Sequence, residues 1–148
     1  MKTLKKSLVF LLVVVMLVCA CDSDSDSDSQ PVPGKITAIA SGVAGQDGKV
    51  LAVGAFDYDW KPGSSDFGIA GYRTQITGDS FSLSDVLRKL DDRGDNTDDE
   101  EVFDPGIYSV VFVISTVNTP PEYFVEVRVE VDGDVNATAP AWTDWEKL

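Results

Sequence analysis

The chain has 148 residues, with 25 acidic against 12 basic side chains, a formal charge of −13, two cysteines and no histidine. An excess of negative charge repels phosphate backbones, so nucleic acid is not an expected partner. The missing histidine removes the Ser-His-Asp and Cys-His nucleophilic arrangements and every histidine-based zinc or iron site; paired carboxylates remain, but a domain this small rarely builds a deep cleft beside its core, and no enzymatic activity is expected.

In chain order, Lys2, Lys5 and Lys6 precede an uncharged apolar run over residues 8–18, and Cys19, Ala20 and Cys21 follow it. A basic head, an apolar middle and a small residue before the cut predict a secretory signal over residues 1–20. The run falls short of the roughly 20 apolar residues of a spanning helix. Leu17, Val18, Cys19, Ala20 and Cys21 resemble the lipobox of bacterial lipoproteins. That resemblance implies cleavage between Ala20 and Cys21, with Cys21 carrying a diacylglycerol thioether and an N-acyl group. More than one acyl chain makes a stable membrane anchor. Lipidation at Cys19 would put bulky Val18 where the peptidase needs a small side chain. From Cys21 onward the chain keeps nine basic and all 25 acidic residues, a formal charge of −16. With lipid on its remaining cysteine it has no disulfide, and the core must hold by packing.

Residues 22–29 alternate four aspartates with four serines, and Pro31, Pro33 and Gly34 follow. Such a segment repels itself and buries nothing, so residues 21–34 are expected to form a lipidated, disordered tether with a reach of at most ~45 Å. About 115 residues remain after Gly34, enough for one domain, 35–148, and not for two.

Within it, residues 35–43 and 49–56 are apolar-rich and flank Gly45, Gln46, Asp47 and Gly48, a cluster of the kind that joins antiparallel strands. Further strands are expected at 68–77, 80–83, 107–115, 123–131 and 135–139. The clearest is 123–131, where Tyr123, Val125, Val127, Val129 and Val131 alternate with Glu126, Arg128 and Glu130. That period of two puts one face in a core and one in water. In 107–115 one face is wholly apolar and the other mixed, as in a central strand buried on both sides. Asp132 and Gly133 signal a tight turn. Residues 84–90 are expected to form a short helix, with Ser84 as N-cap, Asp85 in the first turn and Arg88 and Lys89 in the last. The expectation is an all-β fold, a single antiparallel β-sandwich of about seven strands with one short helical segment. A partly open barrel is the alternative.

Residues 103–110, with Asp104-Pro105-Gly106 leading to Tyr108, resemble the strand entry of prealbumin-like and immunoglobulin-like bacterial surface modules. The order of signal, cysteine, acidic tether and strands also resembles small lipoprotein modules of unknown function. Folds of this kind host many unrelated functions, so the resemblance implies a sandwich and no particular activity.

Three groups of residues bear on function. Residues 91–101 hold seven carboxylates in eleven positions; Asp91, Asp92, Asp95, Asp98 and Asp99 are the oxygen ligands that calcium would take, although the spacing is not that of an EF-hand. No other cofactor is expected. Within the same run Arg93-Gly94-Asp95 matches the integrin-recognition tripeptide, and Asn136-Ala137-Thr138 matches a glycosylation sequon; short matches of this kind arise by chance. Tyr58, Trp60, Trp142 and Trp145 lie near element ends, where exposed aromatic rings grip sugars or partner proteins. The expected function is that of a membrane-anchored bacterial lipoprotein, a non-enzymatic surface binding or adhesion module for a protein or glycan ligand. The alternative is a structural or assembly component of a periplasmic envelope complex. Sorting precedents for an acid run after the lipidated cysteine point both to the cell surface and to the inner membrane, and the length of this run favours the outer membrane and cell surface.

Overall fold

The computed structural model describes residues 30–43, 45–63 and 68–148. The signal sequence 1–20, Cys21 and the aspartate-serine run to residue 29 lie outside these described residues. The described chain is all-β. Its strands are β1 (Ile36–Val43), β2 (Val50–Phe56), β3 (Ala70–Gln75), β4 (Ser80–Val86), β5 (Arg88–Leu90), β6 (Asn96–Glu100), β7 (Gly106–Ser115), β8 (Tyr123–Val131), β9 (Val135–Thr138) and β10 (Glu146–Lys147), with a 3₁₀ turn at Trp142–Asp144. They form a three-stranded sheet, β4-β1-β9, and a seven-stranded sheet, β10-β8-β7-β2-β3-β5-β6. Neighbours run antiparallel except β1 and β9, which are parallel.

The core lies between the sheets and follows the period-two pattern. From the smaller sheet come Ile36, Ala38, Ala40, Phe81, Leu83 and Ala137; from the larger come Leu51, Val53, Val110, Phe112, Ile114 and their neighbours. Alanines on one side leave room for the ring of Phe112, which is fully buried. Tyr108 is also buried, and its hydroxyl donates to the Asp104 carbonyl at 3.0 Å, closing the Asp104-Pro105-Gly106 entry into β7. Burial, with Asp104, Asp57 and Glu101 nearby, pushes its phenol up from the ordinary value. Backbone pairing begins ahead of Lys35: Val32 donates to Asp132 Oδ1 and Gly34 exchanges two hydrogen bonds with Phe103. A Cβ on Gly34 would lie 2.0 Å from the Gly133 carbonyl, so only glycine fits there.

Three local expectations are corrected. The turn at 45–48 does not make a hairpin, since β1 and β2 belong to different sheets. Its donors go instead to the neighbouring connection, Gly45 N–H to the Asp79 carbonyl and Gly48 N–H to the Ile76 carbonyl. The turn after Asp132 likewise carries the chain from β8 to β9 in the other sheet, where β9 runs parallel to β1. Residues 84–90 are not helical. β4 continues to Val86 in the smaller sheet, and the chain turns the corner at fully buried Leu87 and enters the larger sheet as β5. Leu87 N–H donates to the Ile36 carbonyl; Leu87 points into the core from a strand that changes sheets, while Leu90 lies against the outer face. With β5, β6 and β10 added, the strands number ten among the described residues where about seven were expected.

Candidate functional site

The four aromatics singled out from the sequence fall into two groups on opposite sides of the larger sheet. Trp142 and Trp145 pack against each other with ring centroids 5.2 Å apart and planes inclined at 50°, and join Phe81, Phe112 and Tyr123 to plug one end of the core. Trp145 is buried, and its indole N–H donates to the Pro140 carbonyl. These two rings close one end of the core, Trp145 buried and Trp142 half-buried. Tyr58 and Trp60 lie on the outer face, in the connection after β2. Trp60 packs on Phe56 and Phe124 over Val111, and Asp59 beside it pairs with Arg128 of β8, fastening the connection to the sheet. Tyr58 is 46 % exposed and meets Phe56 edge-on.

The carboxylates considered for calcium do not converge. Among the described residues no group of three or more Asp, Glu, Cys or His side chains comes together as a metal requires. The acidic run is a β-hairpin, β5 to β6. Asp91 Oδ1 accepts the backbone N–H groups of Arg93 and Asp95, each at 2.9 Å. Those bonds, that of Asp95 foremost, hold its carboxyl below the usual range. Asp95 pairs with Arg73 of β3, so the aspartate of the Arg-Gly-Asp tripeptide is already bound. Asp92 is exposed in the turn, and Asp98 and Asp99 are exposed on the edge strand β6, where charge discourages pairing with another chain. Gly94 has φ +75°, which suits this turn to glycine.

What the structure adds is a trough of about 900 Å³ on the outer face of the larger sheet. Its floor is Val50, Ala52 and Gly54 of β2 with Val111 and Val113 of β7; the register sets Ala52 opposite Val113 and Gly54 opposite Val111. Small side chains here leave the sheet recessed. One wall is Trp60 with Phe56, and a second is Leu90, Arg93 and Asn96 of the β5–β6 hairpin. The end wall is the β7–β8 connection, residues 116–121. It is pinned by Glu122, which accepts from Thr116 Oγ1 at 2.8 Å and from Lys49 Nζ at 2.6 Å. Lys49 first, then Thr116, hold the Glu122 carboxyl below its ordinary value. Arg73 and Gln75 of β3 complete the rim.

The lining contains two arginines and no aspartate, glutamate, lysine or cysteine. Such a surface can desolvate an apolar body and donate hydrogen bonds from guanidinium and amide groups; it holds no carboxylate for acid-base work. Sequence reasoning found Trp60 and, through the integrin-like tripeptide, Arg93. It missed Ala52, Gly54, Arg73 and Gln75. The available signal was the second, mixed face of 107–115 together with Val50, Ala52 and Gly54, which left two strands without a charged side.

No known protein family, curated protein or solved structure matches this chain. Among the described residues no helix is long and apolar enough to cross a membrane.

Proposed function

We propose that this chain is a lipid-anchored, non-enzymatic binding module of the bacterial cell envelope, acting at the outer membrane or cell surface, with the outer-face trough as its recognition surface. One observation carries the reading: the solvent side of β2 and of the neighbouring part of β7 is apolar and recessed, where an antiparallel sheet facing water ordinarily carries polar side chains. A cavity of this size falls in the range that holds a small ligand. Location supports it. The chain joins the domain at Val32 and Gly34, beside Asp132, Gly133 and Phe103 at the Gly106 end of β7, whereas the trough reaches Ser115 at the other end of that strand. Ten residues of strand separate the two ends by about 30 Å. The Ser115 end of the trough therefore lies away from the point where the chain enters the domain.

Two measurements test the reading. Metabolic labelling with palmitate should mark the wild-type protein and not a Cys21→Ala variant; equal labelling would remove the anchor at Cys21. Protease treatment of intact cells should release fragments of the β5–β6 hairpin; protection until the envelope is broken would place the domain in the periplasm.

A second reading, an assembly component of an envelope complex, draws on a different feature. β4 is the edge of the smaller sheet, and its exposed positions are the serines Ser80, Ser82 and Ser84. An edge without charge at these positions is open to strand addition by another chain. Periplasmic protection together with a stoichiometric cross-linked partner at β4 would favour it.

A further inference from the structure

We infer that the trough takes a small anionic amphiphile, a ligand with an apolar body and one acidic group; this rests on the reading of the trough as a recognition surface and names its ligand class. The argument is one of charge. Acidic residues outnumber basic ones by about two to one along the chain, yet the trough wall carries Arg73 and Arg93 and no carboxylate. Arg73 is neutralised by Asp95. Arg93 has no ion-pair partner within 4.0 Å among the described residues. The nearby Asp91 carboxylate is turned to the N–H groups of the hairpin itself. The same bonds fix the backbone of Arg93, and Arg93 lines the trough together with its apolar floor. A guanidinium binds a carboxylate or sulfate through paired N–H donors, and more strongly where apolar surface excludes water.

The rest of the lining supplies the apolar part. Ala52, Gly54 and Val113 form a floor without projecting groups, and Leu90 and Trp60 stand on either side. A hydrocarbon body lying there removes apolar area from water on both ligand and protein. A polyol would gain less, because Trp60, the aromatic wall, is 7 % exposed and offers little ring face for stacking.

The test is calorimetric titration of the full chain with decanoate and with decyltrimethylammonium, each below its micelle concentration. Non-specific attraction to a chain of this charge favours the cation, so the expected preference runs against the background. Decanoate should bind saturably and at least ~10-fold tighter than the cation, about 1.4 kcal/mol. Arg93→Gln should weaken decanoate ~5- to 10-fold and leave the cation unchanged, with Arg93→Lys recovering part of the loss, as expected of one charge-assisted contact. Ala52→Phe, which fills the floor, should abolish binding of both. Gln75→Trp at the exposed end of β3 serves as a second obstruction, and an unchanged unfolding midpoint shows that either variant is folded. If the cation binds as tightly and Arg93→Gln changes nothing, while Ala52→Phe still abolishes binding, the anionic class is wrong and the trough stands as a site. If neither compound binds saturably, or if both obstructing variants bind like wild type, the inference and the recognition surface fall together.

Discussion

Two aromatic clusters of similar composition sit on opposite faces of β8 and do different work. Tyr123 points inward to Trp142 at the end of the core, while its neighbour Phe124 points outward to Trp60. The inner cluster is packed from both sheets, by Phe81 from the smaller and Phe112 from the larger. The outer cluster rests on one sheet only and is roofed by the connection after β2. Burial of the tryptophan is almost equal, 8 % exposed for Trp145 and 7 % for Trp60. Burial of a ring therefore does not tell a core residue from the wall of a site; what lies behind it does.

Substitutions can break or sharpen that contrast. Trp145→Ala should have the largest effect, ~3–5 kcal/mol of stability, because the cavity opens between two sheets that cannot collapse onto each other. Chemical denaturation reads it as a lowered midpoint with an unchanged slope. Trp60→Ala should cost less, roughly 2–3 kcal/mol, since water can enter from the trough and the connection can resettle; the same variant should lose ligand binding, which Trp145→Ala, where still folded, should keep. Equal costs for the two would mean that the outer cluster is a second core and not a wall.

Tyr108→Phe should cost about 1 kcal/mol, the value of one hydrogen bond, here to the Asp104 carbonyl. Because the phenol is raised above its ordinary value of 10.0 in the folded protein, its contribution is complete below that pH. The contribution is lost as pH rises through the folded value. A wild-type alkaline limb no steeper than that of Tyr108→Phe would contradict the raised phenol.

The smallest effect belongs to the end wall. The Glu122 carboxyl is depressed below its ordinary value of 4.5, so its contribution is present above that pH and lost as pH falls through the lower folded value. Glu122→Gln should lower neutral stability slightly and flatten the acid limb of the stability curve by the same small amount, so that the two proteins converge at low pH. Since Glu122 is solvent-accessible, high salt should reduce the difference between the two proteins.

Much of this molecule was legible from residue order. The alternation in 123–131 determined the inner face of β8, Asp104-Pro105-Gly106 marked the entry to β7, and the two-sided apolar character of 107–115 identified the central strand beneath the trough. The all-β class follows from such local patterns, because side-chain direction in a strand alternates whatever the strand pairs with. Partner choice is not local. The glycine turns at 45–48 and 133 looked like hairpins, yet each crosses between sheets, since the backbone donors of the first found acceptors in another connection. Residues 84–90 carried helix-end signals, but burial of Leu87 at a sheet corner outweighed that weak propensity. The acidic run hid a hairpin because charge density says nothing about register. Only the tertiary structure brought Ala52 and Gly54 beside Val111 and Val113 and set Arg93 at their rim, for a trough is made by strands that are neighbours in space and distant in the chain.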